Sequence, residues 1–476
     1  MNRNPKITAI IPIANMIFGK ALSTSLRMFQ PINIAEIPKK SKLKPTITET
    51  SPAENIGNMM NTKPRIIERY PAILFISIRS PPFNLYILKM LFIIMDFKSV
   101  IDRHGTNSLK WDLFDDDLPM WVADMDFRVA PKIQEAILKR AAHPVYGYTV
   151  VPDELFESYI SWWDRRYDFK MSREDMAYAI GVMPSISSMI RCLTDEDDEI
   201  LIQTPVYHVF FYVIEDNNRK VLENELIYEN EVYRIDFDDL DEKLSKAKMM
   251  ILCNPHNPIG KIWSREELDK IEELCKKHDV ILISDEIHCD LTDPGVKYNP
   301  CDSSDNVITC LSPSKSFNIA GFQSSVVHTR NRELLEKIKN QMHVDNSDSC
   351  NVFATAAVIA AYKESEDWLE ELKEAIYENK QIVREFIANE LPIISLVECD
   401  ATYLLWLDCS RLNVSSKVLS EFLRQNQGLF LSAGVDFGQC GDNFLRMNIA
   451  CPEELLKEGL LKLKAGIIAL NNIRNF

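Results

Sequence analysis

From about residue 175 onward, two rhythms of apolar and polar positions take turns along the chain. Short runs that are apolar almost throughout occur at 176–180, 199–203, 248–253, 280–284, 307–311 and 325–329. Such runs predict strands buried on both faces of a parallel sheet. Between them lie segments with a period near 3.6, which predict amphipathic helices. The clearest is 264–278, where Ser264 precedes Glu267 by three positions in a capping-box pattern. Strand and helix in alternation imply an open α/β sheet that binds ligands at the carboxyl ends of its strands.

After Cys350 the pattern changes. Two helices, 351–363 and 366–390, lead into a smaller unit with strands at 402–407 and 444–449 and helices at 415–427 and 452–470. The fold class predicted is therefore α/β, with a mostly parallel central sheet in a large domain (141–364). A smaller α/β domain comes from both chain ends, 95–140 and 365–476, because 95–140 is too short to fold alone.

Residues 1–94 show neither rhythm. They contain no Asp, Trp or Cys and only two glycines, while Ile, Asn, Pro and Lys recur. The apolar tract 71–94 is interrupted by Arg79, Pro81, Pro82 and Lys89, whereas a membrane-spanning helix needs about 20 predominantly apolar residues in a row. A secretory signal, with an early apolar core followed by a small-residue cleavage site, is not evident either. At Met95 the charge density and turn chemistry of a folded protein begin. The expectation is that Met95 is the native start and 1–94 is upstream sequence; a disordered or targeting extension is the alternative.

Charge sharpens this contrast. Residues 1–94 hold 13 Lys and Arg against 4 Asp and Glu, and the remainder holds 41 against 66. So acidic a body disfavours a nucleic-acid partner, because phosphates would be repelled. All eleven cysteines follow residue 190, none form a C-x-x-C pair, and their spacings match no zinc pattern. Reduced thiols of a cytoplasmic protein are the reading, with no metal expected.

The candidate chemistry gathers at the ends of the predicted strands. Lys315 lies in Ser312-Pro313-Ser314-Lys315-Ser316-Phe317-Asn318, directly after a strand. A lysine is ordinarily a solvated surface charge, but one in such a turn can be buried, lose proton affinity and act as a nucleophile. Asp285 closes the run before Glu286-Ile287-His288, thirty positions upstream of Lys315. A lysine that forms a Schiff base with an aldehyde, and an aspartate that keeps a pyridine nitrogen protonated, suggest pyridoxal 5'-phosphate (PLP).

Other strand ends add to the set. Asn257, in Asn254-Pro255-His256-Asn257-Pro258-Ile259-Gly260, is a candidate donor to the cofactor's phenolic oxygen, or simply part of a turn. Tyr207 could stack on the ring or belong to the core. His288 could support Asp285 or face the ring oxygen. After Gly181, the helix-start amides of Val182 and Met183 could hold phosphate, with Ser312 and Ser314 as hydroxyl donors. Arg446, inside the apolar run 444–448, needs an anion: a substrate carboxylate or a structural carboxylate.

Asn-Pro-x-Asn-Pro-x-Gly, Ser-Asp-Glu-Ile-His, Ser-x-Ser-Lys-Ser-Phe-Asn and Arg-x-Asn occur in an order and spacing that resemble the fold-type I PLP enzymes, aminotransferase class I/II, from Met95 to the C-terminus. Within that superfamily the chain is most similar to the cystathionine β-lyase-like C–S lyases of the MalY/PatB type. Asp102-Arg103-His104-Gly105-Thr106-Asn107-Ser108, Trp121-Val122-Ala123-Asp124-Met125-Asp126-Phe127, Tyr146-Gly147-Tyr148 and Asp-Glu-Ile-His carry this likeness. The resemblance implies that Lys315 is the Schiff-base lysine, Asp285 the pyridine-nitrogen partner, Asn257 the ring-oxygen donor, Tyr207 the ring stacker and Arg446 the carboxylate clamp. Ala123 and Asn257 would border the substrate. Tyr148 would reach a neighbouring cofactor across a homodimer interface with shared active sites. One position departs: aminotransferases commonly carry a phosphate-binding arginine eight residues after the lysine, where this chain has Gln323.

The implied activity is α,β-elimination from L-cystathionine or another cysteine S-conjugate, with Lys315 as general base, giving a thiol, pyruvate and ammonia. Two alternatives stay open: an aminotransferase, which shares the early steps, and a PLP-binding regulatory protein. The choice of thioether is not written in any motif.

Overall fold

The apolar runs become neighbours in a seven-stranded sheet. In the computed structural model, which describes residues 95–114, 117–301 and 304–474, its strands are β1 (Met176–Ala179), β2 (Glu199–Thr204), β3 (Lys220–Glu225), β4 (Met249–Cys253), β5 (Ile281–Asp285), β6 (Val307–Leu311) and β7 (Ser325–His328). Their order across the sheet is β1-β7-β6-β5-β4-β2-β3. Only β7 runs against its neighbours; every other pairing is parallel. The expectation concerning residues 1–94 lies outside the described residues, which belong to one compact unit at 93–476.

The interior strands are buried at almost every residue because both faces of the sheet are covered. On β4, Met249, Ile251 and Cys253 enter one core, while Met250 and Leu252 enter another on the opposite face. β3 is the strand that the apolar pattern misses. It lies at the sheet edge, and its sequence KVLENE is only partly buried, so it carries no continuous apolar run.

The helix Arg265–Lys277 starts as its sequence predicts. The Ser264 hydroxyl accepts from the Glu267 N–H at 3.1 Å, and the Glu267 carboxylate accepts from the Ser264 N–H at 2.8 Å. Helices Val352–Glu364 and Glu366–Glu390 lead to a four-stranded antiparallel sheet made of β8 (Ser395–Leu396), β9 (Leu404–Asp408), β10 (Ser432–Ala433) and β11 (Phe444–Asn448), in the order β8-β9-β11-β10. Helices Ser416–Gln427 and Glu453–Arg474 pack on one another beside it. Leu118–Pro119 pairs in parallel with Leu429–Phe430 in a separate two-stranded sheet, and the next residue, Met120, accepts the Asn448 N–H at 2.9 Å, which ties the start of the described chain to the smaller sheet.

All eleven cysteines are free. Nine are buried, and Cys192 and Cys440 are partly exposed. Among the described residues no helix is long and apolar enough to cross a membrane, and no cluster of His, Cys, Asp and Glu could hold a metal ion.

Candidate active site

Five loops leave the carboxyl ends of parallel strands on one side of the large sheet, where such sheets bind ligands. β1 runs through Gly181 into the helix Val182–Leu193, labelled α1. Gly181 has φ +154°, and a Cβ there would come within 3.3 Å of the Pro184 ring. No side chain caps α1, and the first amides of a helix have no acceptor within it. The Val182 and Met183 N–H groups are therefore donors for an anion. Across the loop from β6, the Ser312 hydroxyl donates to the Ser324 carbonyl at 2.7 Å and accepts the Ser314 N–H at 3.2 Å. Ser312 thus fastens its own turn, with the Ser314 hydroxyl 3.0 Å away.

Lys315 follows in that turn. Its Nζ donates to the Ala123 carbonyl at 2.7 Å. Burial pushes its pKa down to about 8; Asp124 and Asp285 oppose the shift, and Arg446 adds to it. Asp285, at the end of β5, is 4% exposed. One of its oxygens accepts the Ile287 N–H at 3.2 Å. Burial raises its pKa to about 7, against the pull of that N–H and of Lys315. His288 is equally enclosed, and its Nδ1 has no hydrogen-bond partner. Burial, reinforced by Lys315 and Arg446, lowers it to about 3, so the imidazole is neutral at physiological pH.

Arg446 rises from β11 of the smaller sheet and is 3% exposed. Nη1 donates to Asn257 Oδ1 at 3.1 Å, and Nη2 donates to the Trp121 carbonyl at 2.7 Å. Its guanidinium lies 4.7 Å from the centre of the Phe437 ring, and Nε has no partner. These partners are neutral, so desolvation lowers the arginine to about 10. With the Asn257 oxygen turned to Arg446, the NH2 end of that amide is the donor left for another acceptor. Tyr207, beyond β2, is held as a phenol: burial raises it to about 12, Arg446 opposing and Asp285 adding.

The expected residues thus gather from strand ends of the large sheet and from the middle of β11, with one exception. Tyr148 is fully exposed, unlike the enclosed site residues, in a stretch where Val145, Tyr146 and Val150 are also exposed. Residues that the sequence did not single out join the group. Tyr403, wholly buried just before β9, donates its hydroxyl to the Ala123 carbonyl at 3.0 Å. Asn448, the last residue of the Arg-x-Asn motif, donates to the Val122 and Asp124 carbonyls at 2.5 and 2.6 Å. The motif was a signal for Asn448; a tyrosine beside an apolar strand gives none.

Buried polar atoms without partners are rare in folded proteins. Here an orphaned Arg446 Nε, an orphaned His288 Nδ1 and a buried Asp285 carboxylate face one site beside a lysine of lowered pKa. That set fits PLP and an amino acid. Asp285 suits a cationic ring nitrogen, Lys315 an aldehyde, the α1 amides a phosphate, and Arg446 a carboxylate.

Comparison with known proteins agrees with this chemistry. The family model for aminotransferase class I and II matches residues 122–463. The chain is 38% identical over 386 residues to cystathionine beta-lyase PatB of Bacillus subtilis (strain 168), covering 78% of this chain and 100% of that protein. It is 32% identical over 389 residues to protein MalY of Escherichia coli (strain K12), covering 78% and 98%. The solved structure of the PLP-bound C–S lyase from Staphylococcus hominis superposes with a TM-score of 0.75 at 33% identity, over 79% of this chain and 99% of that one. With its parallel sheet, its lysine turn and its aspartate at the end of β5, this chain belongs to the aminotransferase class I and II family.

Proposed function

We propose that this protein is a PLP-dependent carbon–sulfur β-lyase that cleaves L-cystathionine or a related cysteine S-conjugate to a thiol, pyruvate and ammonia. One observation carries the reading: a lysine amine of pKa about 8 and an arginine without an anionic partner hold main-chain carbonyls only two residues apart, Ala123 and Trp121. An amino acid whose carboxylate is clamped by Arg446 then presents its Cα to Lys315. The likeness to PatB and to a PLP-bound C–S lyase supports the same reaction class.

Lys315, Asp285, His288, Asn257 and Tyr207 would hold the ring of PLP, and Val182, Met183, Ser312 and Ser314 its phosphate. Gln323 brings no charge to that phosphate, so amides and hydroxyls carry it. Bound PLP supplies an electron sink for the pair left behind when the Cα proton departs. Arg446 fixes the carboxylate through a planar fork, bordered by Ala123 and Asn257. Lys315, near neutrality in its proton affinity, takes the Cα proton as general base. The Cβ–S bond then breaks with its electron pair leaving on sulfur as thiolate, and the remaining three-carbon enamine takes up water to give pyruvate and ammonia.

The exposed Tyr148 stretch supports a homodimer in which Tyr148 completes the neighbouring site. Unpaired cysteines support a reducing, cytoplasmic setting. We assign the large domain to 141–364 and the small one to 95–140 with 365–476. The deciding assay supplies L-cystathionine without any keto acid. Steady release of pyruvate and a thiol is expected; turnover only after a keto acid is added would make the protein an aminotransferase instead.

A further inference from the structure

From Trp121 to Asp124 the main chain passes the site outside any helix or strand. Each carbonyl of this stretch accepts a side-chain donor. Trp121 takes Arg446 Nη2, Val122 and Asp124 both take the Asn448 amide, and Ala123 takes Lys315 Nζ at 2.7 Å together with the Tyr403 hydroxyl at 3.0 Å. The Asp124 N–H donates back to the Val122 carbonyl at 3.0 Å. That closes a three-residue turn with Ala123 at its apex. Asn448 clasps both ends of the turn, and Tyr403 pins its tip.

The Tyr403 hydroxyl has few choices. Its side chain is wholly buried, and a buried hydroxyl without an acceptor is costly. The phenol is no base, since burial holds its pKa far above the ordinary value of about 10. Its ring stands edge-on to His288, with centroids 6.2 Å apart. What Tyr403 does at Ala123 is occupy one side of a carbonyl whose other side receives the lysine amine.

We infer that Tyr403 is a positioning residue that fixes the Ala123 carbonyl as the resting acceptor of the Lys315 amine. This rests on the role proposed for Lys315. A lysine stem has four rotatable bonds, and an amine displaced by the substrate would otherwise be free to wander. Held on Ala123, it keeps one direction of approach to the substrate Cα. Lys315 gains the Cα proton; Tyr403 neither gains nor loses one.

The test is Tyr403→Phe, which keeps the ring and removes the hydroxyl. The purified variant should still bind PLP and keep its thermal midpoint within a few degrees. The apoprotein, mixed with PLP and followed by visible absorbance, should capture the cofactor roughly tenfold more slowly. Exchange of the Cα proton of L-alanine in D2O, read by NMR, should fall by a similar factor, while the KM for alanine stays within about twofold. Asn448→Ser, which frees the ends of the same turn, should show the same signature. Unchanged capture and exchange rates would overturn the inference. So would loss of PLP binding and thermal stability with no selective effect on exchange, because that pattern belongs to packing alone. Alanine exchange involves no C–S bond. A wild type that exchanges alanine but cannot cleave cystathionine would therefore sink the proposed lyase and leave Tyr403 in its role.

Discussion

Arg446→Lys keeps the positive charge and removes the fork. A single ammonium cannot serve Asn257, the Trp121 carbonyl and a substrate carboxylate at once. Losing one charge-assisted hydrogen bond costs about 1.5–3 kcal/mol, so KM for cystathionine should rise roughly 10–100-fold, with a smaller fall in kcat. A steady-state comparison with S-methylcysteine, which shares the cysteine half but lacks the distal carboxylate, should show the same factor for both substrates. Lys315, Asp285, Asn257 and Tyr207 could be proposed from the chain because each sits in a short motif at the end of an apolar run, and Arg446 because a charge inside an apolar run stands out. Tyr403 was not, since a buried tyrosine looks the same whether its hydroxyl meets a core carbonyl or a catalytic one. The turn at Ala123 acts through its carbonyls, and main-chain atoms leave no trace in residue type.

The elements were legible where burial is two-sided. β6 matches its apolar run residue for residue, β4 starts one residue later than its run, and β5 is shifted by one residue at both ends. β3 escaped because an edge strand with neither a continuous apolar run nor an apolar–polar alternation resembles a loop. The close approach at Gly260 was also hidden, although its Asn-Pro motif was plain. Gly260 has φ +67°, and its carbonyl accepts the Asp400 and Ala401 N–H groups at 2.9 Å. An added Cβ would lie 2.7 Å from the Cys399 Cβ and 2.8 Å from the Ala401 oxygen. The loop bearing Asn257 is thereby locked against the segment leading to Tyr403. Gly260→Ala should cost about 1–3 kcal/mol for the backbone conformation alone, and more for the contact. It should lower the thermal midpoint of apo and PLP-loaded protein alike, as calorimetry would show.

At the scale of the whole molecule, Asp285 links stability to acidity. Its folded pKa of about 7 lies above the ordinary 3.8, so folding disfavours its ionised form. That penalty is absent below about pH 4, grows as pH rises, and is complete above about pH 7, where it amounts to roughly 4 kcal/mol. Glu286, raised to about 7 by burial, acts in the same direction. Lys315 works oppositely: its penalty is full below about pH 8 and fades toward 10.5. Asp285→Asn should therefore raise the thermal midpoint of the apoprotein more at pH 8 than at pH 5, while weakening PLP retention, and an equal gain at both pH values would contradict this. The homodimer reading has its own check. Mixed refolding of Lys315→Ala with Tyr148→Ala should give hybrids more active than either parent, because one site then receives both an intact lysine and an intact tyrosine. The cysteines carry a further consequence. Burial raises the pKa of all eleven, and sulfur exchange requires the deprotonated form. A catalyst that liberates mercaptans turnover after turnover is thus armoured against their oxidised forms: to a disulfide made from those products by an outside oxidant, it offers little anionic sulfur for exchange.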